Sequence, residues 1–497
     1  MNLSQKSLKN IHVPGLQVPS KRIFSLPEKV LQFGTGVLLR GLPDYVIDKA
    51  NKQGVFNGRV VVIKSTGTGP SSEFDEQDGL YTIYSKGIDN GVEVEESIIC
   101  ASISRVLSAA NEWEAILAFA KSPDLQVVIS NTTEVGIQLV KEEITKDTPA
   151  SYPGKLLAVL HERYLAFNGS PESGLVIVPT ELIVDNGKKL EVSVIELAHL
   201  NNFELEFIDW LENHNNFCNS LVDRIVPGKP AKELAADLES KRGYTDNLNI
   251  LSETYSLWAI EGDEKVSSVL TFAKVDKGVV ITPDIQLFRE LKLRLLNGSH
   301  TLSCAVAFLS GFDTVKQAMD DDRFLQFITG LVYEEIIQSI PYEIKPQVAK
   351  DFAGKVLDRF LNPHIRHEWL SISVQYSAKL KMRVVPLLLN YYKINNSVPV
   401  NMALGFAAFI RFMKVKRKTD GTYVGSVNGK DYTVTDSQES YFSKVWKTQD
   451  TDLIVNNILS DQQLWETNLT TLPGFKQAVI NNLNTLLTYG IKELIAV

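Results

Sequence analysis

Apolar and polar positions alternate in two regimes along this chain. Between residues 28 and 63 the pattern reads strand, turn, helix, strand. KVLQF (29–33) is a short apolar run, and GTG follows at 34–36. Leu38, Leu39, Leu42, Tyr45, Val46 and Ile47 then recur at helical spacing, and RVVVI (59–63) has the make-up of a buried strand. A helix predicted over 108–121 leads into a strand at LQVVIS (125–130). LLAVLHERYLAF (156–167) reads as helix and LVIVPTEL (175–182) as strand. Strands that alternate with helices in this way form a parallel sheet covered on both faces.

From about residue 286 the character changes. QLFRELKLRLLNGSHTLSCAVAFLSGF is one long helical pattern, and helical spacing dominates over 323–339, 345–361, 384–393, 400–413, 450–459 and 473–494. The exception is TYVGSVNGKDYTV (422–434), where Asn428-Gly429 sits between alternating apolar residues and predicts a β-hairpin. The predicted fold class is α/β over residues 1–285, followed by a mainly α-helical domain over 286–497.

Length and composition fit that division. A chain of 497 residues exceeds one ordinary core, and 44% hydrophobic with 22% charged residues is a globular composition. The net charge of −8 argues against a nucleic-acid or anionic-membrane partner, which would require a basic face. An acidic protein that handles an acidic substrate must build a local positive pocket. Cys100, Cys218 and Cys304 are far apart and form no CxxC pair, so a disulfide framework or thiolate zinc site is not expected. The first residues lack an apolar signal core, and no apolar run approaches about 18 residues. The expected compartment is the cytoplasm.

The first chemical motif is FGTGVLLRG (33–41). A strand running into Gly34-x-Gly36 and then a helix is how a dinucleotide's pyrophosphate is held: glycines admit the backbone, and the helix N-terminus supplies N–H groups and partial positive charge. Leu39 stands where a third glycine would complete GxGxxG, so on these residues alone a tight turn without ligand is an equal reading. Arg40 could reach a phosphate or be a solvated charge. The second strand ends in Val62-Ile63-Lys64-Ser65-Thr66 with no acid for a ribose 2′-hydroxyl, which leaves NAD against NADP open; Lys64 could meet a 2′-phosphate or lie on the surface.

The second motif is KLRLLNGSH (292–300). At about 100° per residue, Asn297 lies roughly 140° from Lys292 and His300 roughly 80°, so all three fall within one wedge of an α-helix. A partly buried lysine can take the proton of an alcohol and return it to a ketone. An amide N–H can stabilise the developing oxyanion, and an imidazole can orient the substrate oxygen. A solvated lysine, a helix irregularity at Asn-Gly and a core histidine would give the same spacing.

Downstream lies a basic and imidazole cluster: Asn362, His364, His367, Lys379, Lys381 and Arg383. Such cations suit an anionic substrate, and arginine offers a carboxylate a bidentate fork. Lys379 and Arg383 precede the apolar VVPLLL, which predicts that this end is buried rather than a solvated run. His364 and His367 have metal-compatible spacing, but Pro363 and the lack of a nearby carboxylate pair argue against zinc.

These segments, together with QDGLYTIYSKG (77–87), SNTTEVGI (130–137), LVDRIVPGKP (221–230) and SETYSLWAIEGD (252–263), resemble the long-chain mannitol dehydrogenase-like family of polyol and sugar-acid dehydrogenases. The resemblance spans most of the chain and centres on K-x-x-x-x-N-x-x-H. It implies a Rossmann-type dinucleotide-binding domain over 1–285 and a substrate-binding, catalytic domain over 286–497. It also implies metal-independent hydride transfer with Lys292 as general acid/base, assisted by Asn297 and His300. Cofactor contacts are implied at Gly34, Thr35, Gly36, Arg40, Asn131, Thr133 and Glu134, and substrate contacts at His367, Lys379 and Arg383. The forms SNTTEVGI, WAIEG, LNGSHT and NPHIRHEWLSISVQYSAKLKMRVVP (362–386) resemble the sugar-acid branch. They imply interconversion of D-tagaturonate and D-altronate with NAD(H), as in galacturonate catabolism.

Two positions depart from the polyol enzymes of that family. Thr180-Glu181-Leu182 replaces a Cys-Asp-Asn before Asn186-Gly187, which removes a second oxyanion-binding asparagine, and Leu370-Ser371 stands near an expected arginine. The competing expectations are a fructuronate reductase, a neutral polyol 2-dehydrogenase, and a dinucleotide sensor without turnover. An intact proton relay has no use in a sensor.

Overall fold

Six strands, most of them buried on both faces, organise the first part of the chain: β1 (Glu28–Phe33), β2 (Arg59–Lys64), β3 (Ile103–Ser108), β4 (Val127–Ser130), β5 (Val176–Pro179) and β6 (Asn216–Phe217). The computed structural model describes residues 1–65, 72–133, 136–145 and 147–495. The strands pair in parallel in the order β3-β2-β1-β4-β5-β6. Alternation along them feeds two cores. Val30, Val60, Val62, Val127, Ile129 and Val178 join one cluster, while Leu31, Phe33, Val61, Ile63, Val128 and Ile177 join the other. That is why these segments read as continuous apolar runs.

The strand order is that of a doubly wound dinucleotide fold, 3-2-1-4-5-6 in chain sequence, with its reversal between β1 and β4. Two expectations need correction. The helix predicted over 108–121 is shorter, Trp113–Ala120, and β3 precedes it; Ile103, Val106 and Leu107 lie in parallel register with β2, so pairing decides a segment that Ser104 and Arg105 disguise. The helix after the GTG turn is two pieces, α1 (Val37–Gly41) and α2 (Pro43–Lys52). Pro43 cannot continue the α1 hydrogen-bond ladder and drives Leu42 out of the helical region, to φ −130°.

Two smaller sheets lie outside the alternating pattern. One joins Leu16–Gln17, Val92–Cys100, Tyr81–Asp89 and Ile250–Ser252; the other joins Ser220–Asp223, Leu257–Glu261 and Val279–Thr282. The residues divide into two compact units, Met1–Gly87 with Glu93–Ile285, and Ile88–Val92 with Gln286–Val497.

The second unit is mainly helical. It opens with a short α-helix, Gln286–Glu290, which widens into a π-helix over Leu291–Gly298 and returns to α over Ser299–Leu309, here α3. The further elements used below are α4 (Pro346–Leu361), α5 (Tyr376–Arg383) and α6 (Val400–Phe412). A Cβ on Gly405 would stand 2.9 Å from the Leu302 carbonyl oxygen, so α6 crosses α3 at glycine-limited distance and fixes its back. The predicted hairpin is present: Tyr423–Val427 pairs antiparallel with Lys430–Val434, and Asn428 and Gly429 both take positive φ (51° and 76°), as a type I′ turn requires.

Candidate active site

In the first unit, the carboxyl ends of β1 and β4 meet at the reversal of strand order, the place where open α/β sheets bind ligands. Gly34 takes φ +125° there, and a Cβ on it would lie 3.0 Å from both the Asn131 carbonyl oxygen and Leu39 Cδ1. This glycine is required by the fold itself, and Leu39 fills the space a third glycine would leave. Gly36 differs: a Cβ on it would meet nothing within 4 Å. The open face beside the Gly34–Val37 backbone is a cradle of the kind a pyrophosphate fills.

The loop after β4 is held from behind. The Glu181 carboxylate accepts from Thr132 N (2.9 Å), Thr132 Oγ1 (2.9 Å) and Ser130 Oγ (3.2 Å), and Asn131 Nδ2 donates to the Thr180 carbonyl and hydroxyl, both at 3.0 Å. Glu181, read from the sequence only as a lost asparagine motif, is thus a buried bracket for the loop, while Leu182 is exposed. Asn186 adds a second bracket, donating to the carbonyls of Pro179, Glu181 and Ser220. Thr133 is exposed and Glu134 lies outside the described residues.

Arg40 is not the solvated charge of one expectation. It is buried, its Nη1 donates to the Leu248 carbonyl at 2.6 Å, and its guanidinium lies over the Tyr81 ring at 5.3 Å. It ties the turn to the body of the first unit. Lys64 is half-buried at the end of β2.

In the second unit, Lys292 and Asn297 lie on the π segment and His300 on α3. The α-helical angles expected for this stretch are therefore replaced. Bonding from i to i+5 stacks residues five apart, which sets Asn297 one wide turn beyond Lys292 on the same face. Lys292 and Asn297 are half-buried and His300 is buried.

The His300 ring is caged. Phe360 of α4 stacks on it with centroids 4.1 Å apart, and His367 meets its edge at 4.9 Å. Its Nε2 is buried and has no hydrogen-bond partner among the described residues. Burial above all, then the charges of His367, Arg359, Arg383 and Lys379, hold its pKa well below the usual imidazole value, so the ring is neutral. Burial and then Arg359 likewise lower His367.

The downstream cluster separates into two groups. Lys379 and Arg383, four residues apart on α5, approach His300: Arg383 Nη1 donates to Thr301 Oγ1 at 3.2 Å, and Lys379 Nζ donates to the Ile372 carbonyl at 2.9 Å. Burial lowers the pKa of both, and Arg383 lowers Lys379 further. His364 is exposed, Asn362 Oδ1 accepts from the His364 N–H, and Lys381 pairs with Glu466 at 2.7 Å. Lys381 is thus engaged away from the cage. Sequence reasoning missed Phe360, Arg359 and Thr301, whose signals were only their adjacency to NPHIRH and to His300. Among the described residues no group of three or more His, Cys, Asp or Glu is placed to hold a metal ion, and no helix is long and apolar enough to cross a membrane.

Comparison with known proteins places this arrangement. The mannitol dehydrogenase Rossmann domain model matches residues 28–273, and the mannitol dehydrogenase C-terminal domain model matches residues 284–487. The chain belongs to the mannitol dehydrogenase family. Relatives within that family include the altronate oxidoreductase of Bacillus subtilis, 37% identical over 94% of both chains, and that of Halalkalibacterium halodurans, 37% identical over 95% of this chain and 93% of the relative. Among solved structures, the family fold recurs in Pseudomonas fluorescens mannitol 2-dehydrogenase in ternary complex with NAD and D-mannitol. That pair has a TM-score of 0.69 and 22% identity, covering 100% of this chain and 99% of the other. A substrate-free D-sorbitol dehydrogenase matches at TM-score 0.79 and 19% identity, with both chains fully covered.

Proposed function

We propose that this chain is an NAD-linked oxidoreductase that interconverts D-altronate and D-tagaturonate, in the catabolism of hexuronates. The observation that carries the substrate class is the cage of His300. Arg359, Lys379 and Arg383, together with His367, all act on a neutral imidazole. In a chain of net charge −8, such a concentration of positive charge matches a substrate carboxylate. The full-length relatives named altronate oxidoreductase support the choice of sugar acid.

Each part of the site has a task in this reading. NAD(H), when bound, supplies the hydride chemistry, and the Gly34–Val37 backbone with the Asn131 loop would hold its pyrophosphate. Lys292 gives its ammonium proton to the ketone oxygen during reduction and takes the hydroxyl proton during oxidation. The Asn297 amide N–H₂ donates to the same oxygen as negative charge develops. His300, held neutral, offers Nε2 to a substrate hydroxyl or carbonyl. The cations of α5, with His367, take the carboxylate. Because Lys292 itself performs the acid–base step, the mechanism runs without a metal. The protein acts in the cytoplasm, without nucleic-acid or membrane partners.

A substrate panel tests this. D-Tagaturonate, D-fructuronate, fructose and tagatose are each supplied with NADH and with NADPH, with and without a chelator. Tagaturonate with NADH is expected to give the highest kcat/KM, untouched by the chelator. Preference for fructuronate or a neutral ketose would replace the substrate reading, and loss of activity with the chelator would overturn the metal-free step.

A further inference from the structure

Arg294 stands among apolar neighbours on the segment that carries Lys292 and Asn297, and it is buried. Its Nε pairs with Glu290 Oε2 at 2.9 Å, itself buried one turn earlier. Its Nη1 donates to the Met382 carbonyl at 2.8 Å and the Arg383 carbonyl at 2.9 Å. Those are among the last carbonyls of α5, groups that no further turn of helix satisfies. A guanidinium there both fills the hydrogen bonds and meets the negative end of the helix dipole.

A buried ion pair is a poor source of stability, because desolvation offsets its attraction, and its best-attested use is to fix register. Here the register it fixes joins two parts of the site. Arg383, the last residue of α5, is fastened twice to the helix that carries the proton-transfer residues. Its main chain is held by Arg294, and its side chain donates to Thr301 Oγ1, which in turn donates to the Asn297 carbonyl at 2.7 Å.

We propose that Arg294 is a positioning residue. It sets the distance between the proton-transfer group and the cations that hold the substrate carboxylate, so that the substrate's length, from carboxylate to reacting ketone, is read by the Glu290–Arg294–Arg383 connection. This rests on the uronate reading given above. Arg294 touches no substrate atom; it acts through Arg383.

Two measurements test it. In a double-mutant cycle on D-tagaturonate reduction, Arg294→Met is expected to lower kcat/KM about 30-fold and Arg383→Ala about 100-fold, but together they lower it about 100-fold rather than by the product. The loss from Arg294→Met falls mainly on KM, the affinity for NADH measured by fluorescence changes less than twofold, and Arg294→Lys restores part of the activity. Multiplicative losses, or an equal loss of NADH affinity, overturn the proposal. The second measurement needs no substrate. Backbone hydrogen exchange over Leu380–Val385 is expected to speed up at least tenfold in Arg294→Met and to remain near wild type in Arg383→Ala. Unchanged exchange overturns the positioning role even in an enzyme that reduces tagaturonate. A wild-type enzyme that turns over no uronate overturns the substrate reading even where the exchange responds.

Discussion

His300 lies flat on Phe360, the two ring planes inclined by 11° at a centroid separation of 4.1 Å, while His367 stands nearly perpendicular to it at 83°. One face and one edge of the imidazole are therefore covered, and the ring can turn only by displacing a neighbour. On the proposed mechanism that restraint aims Nε2. Phe360→Leu is expected to lower kcat about tenfold with a smaller change in KM, and to change little in a His300→Gln background, since both act through one ring. Steady-state kinetics of the four proteins measures this. Losses that multiply would show that Phe360 matters only for packing.

Ketone reduction consumes a proton at Lys292 in the proposed mechanism, so kcat/KM for reduction falls as pH rises through the donor's apparent pKa, and the reverse reaction rises over the same range. Lys292→Ala is expected to reduce turnover by at least about 1,000-fold while leaving NADH affinity intact. His300 adds no step near pH 6.5, because its folded value lies well below that. A flat reduction profile through pH 10, or a step near 6.5 that disappears in His300→Gln, contradicts these assignments.

The cations of α5 distinguish a charged substrate from a neutral one. Lys379→Ala and Arg383→Ala are each expected to lower kcat/KM for the uronate by about 100-fold, with less than a threefold effect on a neutral ketose, since a charged group loses its buried counter-ion in one case only. Parallel assays on tagaturonate and tagatose decide it. Equal losses on both would make these cations structural.

Asp44 gives a stability prediction of definite sign. It is fully buried beneath the dinucleotide turn, where desolvation above all raises its pKa from 3.8 to about 7 in spite of Gln32 and Arg40. A carboxyl raised in the folded state contributes its full stability below pH 3.8 and loses it as pH rises through about 7. The loss is of the order of 4 kcal/mol at most. Asp44→Asn removes the charge and offers a donor toward Gln32 Oε1, a buried atom without a partner among the described residues. The difference in melting temperature, variant minus wild type, is expected to grow more positive from pH 5 to pH 8. A constant or shrinking difference refutes this account.

Much of the fold was legible because one physical rule dominates the sheet. Strands buried on both faces appear as unbroken apolar runs, so Val30–Phe33, Val60–Ile63 and Val127–Ile129 stand out. Ile103–Ser108 did not, since Ser104 and Arg105 interrupt its run and only pairing with the second strand makes it a strand. Asn428-Gly429 announced its turn through backbone conformation alone. In the candidate site, residue types and spacing pointed to Lys292, Asn297 and His300. What surrounds them was hidden: Phe360 and Arg359 come from a distant helix, and long-range packing leaves no local pattern. Arg40 was ambiguous because an arginine in the first turn after a glycine loop has the same appearance whether it is solvated or, as here, buried against the Leu248 carbonyl.

The π-helix over Leu291–Gly298 makes two observations one. In an α-helix, neighbours on a face are three or four residues apart, and a pair spaced by five reaches only the two flanks of one wedge, about 140° apart. In a π turn, five is the spacing of adjacency. The interval from Lys292 to Asn297 is therefore itself a statement about the backbone: the same two side chains, on a segment rewound to α geometry, would diverge. Deleting one residue between them would shorten the interval to four, the spacing at which an α-helix itself keeps two side chains on one face. The extra residue and the wide turn are thus one feature: either without the other would part Lys292 from Asn297.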